Sequence, residues 1–335
     1  MIAKLAAVGA VLAVCLSGGP GLVFGQDRVD SERAALEQFR RKELRKLERW
    51  GLEHLLRTER KVDREQKRRA STSSNPAELA LLTEDEDSGV RFYVAANRHT
   101  PVDLLLQLSR DPVAYVRGGV AMSGPFDRSG RGEEQQLVEA MALGLATDPA
   151  PLVRHILAQN PNLTPAVFLV LARDTDHIIR QKTAQNVHAT REALVALAQD
   201  SIVTVRATAA QHRNMPRAWL EQLSSDPEVE LRLAVCRNIN TPSRVLDALA
   251  EDPVVTVRQA AAEHPNTSLS TLQRLSADGA VEVVVAVAEN PTADRTLLME
   301  LAFDQRDAAI RLAAHERLAP LLRNEIREDI LERWD

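Results

Sequence analysis

Seven arginines keep step along this chain. Arg91, Arg117, Arg154, Arg180, Arg206, Arg232 and Arg258 each stand six residues after an aspartate, at Asp85, Asp111, Asp148, Asp174, Asp200, Asp226 and Asp252. A guanidinium presents its N–H donors in a rigid planar fork, so arginines in register have two uses. They line up as an anion track, or they bridge carboxylates and turn carbonyls of their own and adjacent units. The fork suits bridging, which makes Asp111, Arg117, Asp148, Arg154, Asp174, Arg180, Asp200, Arg206, Asp226, Arg232, Asp252 and Arg258 a structural ladder. Val284 stands where an eighth arginine is due.

The other chemistry-bearing residues point away from catalysis. His212 and His264 hold the same slot two units apart, and helices packing about 8–10 Å apart keep two such layers from sharing one ion. Asparagine fills that slot elsewhere, which reads as hydrogen bonding to turn backbone. His315 and Glu316 form a single His-Glu pair, where HEAT-like di-iron chemistry needs several. The two cysteines are Cys15 and Cys236; the second sits in a slot otherwise filled by alanine and reads as a small buried hydrophobe. No Ser-His-Asp arrangement, phosphate loop or carboxylate pair stands out, so no catalytic residue, cofactor or metal is expected and the chain reads as a non-enzyme.

These residues ride on a repeat. Aspartates fall at 85, 111, 148, 174, 200, 226, 252, 278 and 304, spaced by 26 residues except for 37 between Asp111 and Asp148. Asp-Pro reads as a helix start, with the carboxylate as cap and proline at the first helical position. Val229, Leu231, Ala234, Val235 and Cys236 then form one apolar face. The helix should stop near Asn238, since asparagine tolerates the left-handed cap and proline often follows. Thr-Pro pairs at Thr100, Thr164 and Thr241 mark a second helix, its threonine hydroxyl capping. Helices this short are marginal alone, so units must stack.

The pattern L-x-x-L-A-x-D-P-x-x-x-V-R-x-x-V-A-x-N-x-x-T-P, as it stands around Leu246 to Pro265 and in the other units, resembles the leucine-rich repeat variant family over roughly residues 77–318. The resemblance implies an all-α fold: a right-handed solenoid of about eight to nine two-helix repeats of 26 residues, like HEAT and armadillo superhelices. It also implies a scaffold that binds protein or peptide. Units here are a little longer than is typical of the family, and the cysteine cluster that holds an iron-sulfur centre in one member has no counterpart.

The flanks complete the organisation. Residues 1–25 have the layout of a signal peptide, with Lys4, an apolar run from Leu5 to Leu16, and cleavage near Gly25. An exported protein, periplasmic or extracellular, is therefore expected; a lipoprotein anchored at Cys15, an uncleaved membrane anchor and a cytoplasmic adaptor are the alternatives. Residues 26–76 form a charged helical segment and linker, with Lys67 to Asn75 as the linker; residues 319–335 form a capping helix opened by Pro320. Of the net charge of −5, residues 1–70 carry +6 and residues 71–335 carry −11. An acidic array does not displace counterions from nucleic acid, and any membrane contact is confined to residues 1–70. The insertion near 124–134, rich in glycine and arginine, reads as an exposed loop. In the first helices, the slots four, seven and eleven after each aspartate point away from the core. They name Tyr115, Met122, Leu152, His155, Ile178 and Gln181 as candidate partner-binding residues, with Tyr115, Met122, Leu152 and Ile178 as an exposed apolar cluster and glutamates later in the array.

Overall fold

The computed structural model describes residues 64–124, 126 and 133–332, with side chains as far as Leu321. The chain divides into two compact units, Met1–Arg60 and Lys61–Asp335, and everything described lies in the second. The expected signal peptide over residues 1–25, most of the segment 26–76 and most of the insertion fall outside the described residues.

Among the described residues there are nineteen helices and no strand. The first helices of successive units are α1 (Arg64–Thr72), α3 (Ser88–Ala95), α5 (Ala114–Ser123), α7 (Pro151–Ala158), α9 (His177–Gln185), α11 (Val203–Gln211), α13 (Val229–Arg237), α15 (Val255–Glu263) and α17 (Val281–Glu289). The second helices are α2 (Pro76–Thr83), α4 (Val102–Leu108), α6 (Glu133–Ala146), α8 (Pro165–Leu171), α10 (Arg191–Leu197), α12 (Arg217–Leu223), α14 (Ser243–Leu249), α16 (Leu269–Leu275) and α18 (Arg295–Ala302), and α19 (Ala308–Glu332) closes the array. Each first helix packs on the next one along. Second helices pack closely on one another only from α2 to α10, whereas first helices pack on one another along the whole array. One apolar core runs from Ala70 to Leu318, which is how helices of seven to nine residues become stable.

Several boundaries differ from the sequence reading. Each first helix from α3 to α17 opens three residues after its aspartate, so Asp226 precedes α13 and Glu228 is its N-cap. The Asp226 carboxylate instead accepts the N–H of Glu228, at 2.9 Å, in an Asx turn. The threonines of the Thr-Pro pairs do not cap α4 or α14. Thr100 and Thr241 donate backwards to the carbonyls of Val94 and Val235, both at 2.6 Å, and so close the turn between the two helices. The asparagine stops are extended, with φ −80° at Asn238, rather than left-handed.

The ends and the insertion differ too. Lys67 to Thr72, expected as linker, lie in α1, whose Ala70 is wholly buried and which packs against α3 as a further first helix. Pro320 lies inside α19 rather than opening a helix of its own. The insertion is not all exposed loop. Phe126 is 5% exposed, and residues from Glu133 onward belong to α6, a helix of 14 residues. No helix of the described residues is long and apolar enough to cross a membrane.

Candidate interaction face and its ladders

Two rows of polar bonds join successive units, one at either end of the first helices. In the first row, an arginine faces two ways. Arg232 lays Nε and Nη2 on the carboxylate of Asp252 in the next unit, at 2.5 and 3.0 Å, and donates Nη1 to the carbonyl of its own Asp226 at 2.9 Å. Arg117 does the same to Asp148, at 2.6 and 2.8 Å, across the insertion. Arg91 meets Asp111, Arg154 meets Asp174, Arg180 meets Asp200 and Arg258 meets Asp278 in this way. All these arginines are occupied by protein groups, so they form no anion track.

Electrostatics follow from that geometry. The Asp278 carboxyl lies below its ordinary range because Arg258 donates to it. Burial works against the charge on Asp200 and Asp252, but Arg180 and Arg232, each with a backbone N–H, outweigh it and hold both carboxyls low. Arg206 is the loose rung: it keeps its bond to the Asp200 carbonyl at 2.9 Å, yet stands 4.0 Å from Asp226. Where Val284 replaces an arginine, Arg306 reaches back from the next unit to the carbonyls of Asp278 and Ser276, at 3.0 and 2.7 Å. Sequence reasoning missed Arg306, which stands two rather than six residues after its aspartate.

The second row is neutral and buried. Asn238 donates both N–H groups of its amide to the carbonyls of Ala210 and His212 in the preceding unit, at 2.6 and 2.8 Å, while its oxygen accepts the N–H of Asn240. Asn97, Asn160, Asn186 and Asn290 repeat the arrangement. The histidines imitate it. His264 bonds through Nε2 to the Asn238 carbonyl at 3.0 Å and accepts the N–H of Asn266 at Nδ1; His212 does so with Asn186 and Asn214. Accepting at Nδ1 requires the neutral ring with its proton on Nε2. Burial pushes both histidines below the usual imidazole range. Sequence reasoning also missed the amides of Asn214, Asn240 and Asn266, which add bonds to the preceding unit. The signal was asparagine recurring two residues after the ladder slot.

Between these rows lies the outer face of the first helices. Met122 is 38% exposed there, and Tyr115, His155, Ile178 and Gln181 are half-buried. Leu152, expected in the exposed apolar cluster, is buried at 7%. Its helix α7 is packed on by α5, α6, α8 and α9, and Leu152 lies in its first turn. Tyr115 stacks on Phe92 with ring centroids 3.9 Å apart, and burial raises its phenol. The early face is drawn tight by glycine: a Cβ on Gly119 would stand 2.9 Å from the Ala95 Cβ and 3.0 Å from the Phe92 carbonyl oxygen, so only glycine lets α3 and α5 approach this closely.

The later face is open. A groove of about 530 Å³ lies along α13 and α15, with Leu233, Ile239 and Ala260 among its apolar lining and Arg237, Gln259 and Glu263 among its polar lining. Cys236 also touches it, but the thiol is pushed up to about 12 by burial and is inert at neutral pH. Among the described residues no group of histidine, cysteine and carboxylate side chains is arranged to hold a metal.

Comparison with known proteins gives the same architecture. A family model described as leucine rich repeat variant matches residues 89–113. A solved leucine-rich repeat variant with a novel repetitive structural motif is similar at 23% identity, over 70% of this chain and 88% of that one, with a TM-score of 0.50. Weaker similarity extends to the Escherichia coli protein YibA (18% identity, 78% of this chain, 99% of that one, TM-score 0.36). An engineered protein is similar at 15% identity over 76% of this chain and 93% of that one, with a TM-score of 0.29. No curated protein matches the sequence. The resemblance to the leucine-rich repeat variant family thus holds in sequence for one unit and in fold for the array, a repeat-based helical scaffold.

Proposed function

We propose that this chain is a non-enzymatic scaffold that binds a polypeptide along the outer face of its first helices. The observation that carries the reading is the division of labour within each unit. Aspartate, arginine, asparagine and histidine are spent on joining units, while the face between them varies from Tyr115 and Met122 to Ile178 and Gln181, and then to Glu230 and Glu263. A constant frame with a variable face is how stacked repeats build binding surfaces. Affinity capture with the full chain tests the reading. Replacing Met122 and Ile178 by aspartate should remove at least one partner from a chain that stays folded; a folded double variant that keeps every partner places binding elsewhere.

Export to the bacterial cell envelope or exterior is the second part of this proposal, supported by the layout of residues 1–25. Fractionation with N-terminal sequencing tests it. The expected mature start is Gln26, with Cys15 as the start of a lipidated form; intact Met1 on a soluble cytoplasmic protein overturns export.

A further inference from the structure

We infer that the groove along α13 and α15 is the docking site for a basic amphipathic segment of a partner protein. The inference rests on the scaffold reading above and names the partner's chemistry. The groove has an apolar floor, and Ile239, at 59% exposure, lies at its mouth in the turn after α13. Its surroundings are acidic. Glu230, Glu263, Glu282 and Glu289 are exposed on the same row of helices, against Arg237 alone among the exposed groups of that stretch. Among the described residues none of these four glutamates is ion-paired, in contrast to the ladder aspartates, and Glu263 accepts one hydrogen bond, from Gln259 Nε2 at 2.8 Å. They are charge that no described cation neutralises, beside exposed apolar surface.

Charge decides between occupants. Residues 71–335 carry −11, so a second copy of this array would bring like charge to the groove. Nucleic acid meets the same repulsion. A small ligand calls for an enclosed site with convergent polar groups, whereas this groove opens along the helix row beside a turn. A segment with apolar residues on one side and lysine or arginine on the other satisfies both features: its apolar side covers Leu233, Ile239 and Ala260, and its cations meet the glutamates. The apolar contact holds the segment while the charge speeds and orients its approach.

The test uses the folded full chain and three labelled synthetic peptides of equal length, followed by fluorescence anisotropy. One sets leucine at i, i+3, i+4 and i+7 and lysine between them as an amphipathic helix, one replaces lysine by glutamate, and one replaces leucine by serine. The leucine-lysine peptide should bind at least about ten-fold more tightly than either of the others. Ile239→Asp should weaken it about ten-fold, and Glu263→Lys should weaken it and flatten its salt dependence. Ile239 and Glu263 are exposed, so both variants should keep the parent's helical signal and melting midpoint. Should Glu263→Lys fail to fold, Glu263→Gln serves with a smaller expected loss. Equal binding of the serine-lysine peptide, or unchanged binding in both groove variants, overturns the inference. If affinity capture through Met122 and Ile178 nevertheless succeeds, only the groove falls; if it fails too, the scaffold reading falls with it.

Discussion

The two ladders solve the same problem with opposite materials. At one end of the first helices, charged forks grip carboxylates at a partly exposed edge; at the other, neutral amides and imidazoles reach buried carbonyls, and Asn238 has no exposure at all. The charged edge tolerates imperfection. It survives a rung stretched to 4.0 Å at Arg206 and a missing arginine at Val284, where Arg306 steps in. The neutral edge keeps its bonds at Asn97, Asn160, Asn186, His212, Asn238, His264 and Asn290, and is interrupted at the unit of Asp111, where Ser123 stands in the slot ahead of the insertion. A buried donor or acceptor left unpaired has no water to turn to, whereas the lengthened Arg206–Asp226 rung, whose carboxylate is more exposed than those of the close rungs, is partly replaced by solvent. The more deeply buried pairing between units therefore sits at the neutral edge, and the charged edge adds to it.

This contrast orders the expected effects of substitution. Asn238→Ala removes two bonds to carbonyls of the preceding unit and the acceptor for the Asn240 N–H, and should lower stability by about 2–4 kcal/mol in denaturant unfolding. Arg232→Ala strands the buried carboxylate of Asp252 and two turn carbonyls, and should cost about 1–3 kcal/mol. Arg91→Ala, near the array's start, should cost less than Arg232→Ala by the same measurement. Arg206→Ala, on the loose rung, should cost under about 1 kcal/mol. Equal losses at Arg206 and Arg232 would show that the carbonyl bond alone matters.

Acid should separate the edges without mutation. His212 and His264 lie below their ordinary value of 6.5 in the folded chain, so the unfolded chain takes up protons first as pH falls. Their contribution is complete above about pH 6.5 and declines as pH drops below it. The ladder carboxyls are also held low, but against an ordinary value of 3.8, so their loss begins only in stronger acid. Replacing both histidines by asparagine should flatten the upper limb of the stability profile and leave the lower one; a profile unchanged by the double substitution would remove the histidines from the account.

How much of this was legible in the sequence depends on range. The period, the Asp and Arg register and the helical pairs are local patterns and could be read directly. The role of the aspartates was misread because Asp-Pro is the same signal for a helix cap and for an Asx turn that precedes one, and only the backbone tells them apart. Likewise Thr241 looks like a cap until its bond six residues back to Val235 is seen. What the sequence hides is which unit a side chain serves. Nothing in the spacing of Asn238 says that its amide belongs to the preceding unit, or that Arg306 replaces the arginine missing at Val284. On the face, slot periodicity placed Glu230 and Glu263 outside but also Leu152, which neighbouring helices bury.

The central claim is that the frame and the face are separable, and one helix tests it at its two ends. Arg232 holds the charged edge of α13, and Ile239 lies in the turn beyond its other end, at the groove. Unfolding midpoint and affinity for the leucine-lysine peptide should be measured together for Arg232→Ala and Ile239→Asp. The account predicts that Arg232→Ala lowers stability while the folded fraction binds as before, and that Ile239→Asp loses binding at parent stability. Loss of both properties in both variants, or the two effects exchanged, would contradict it.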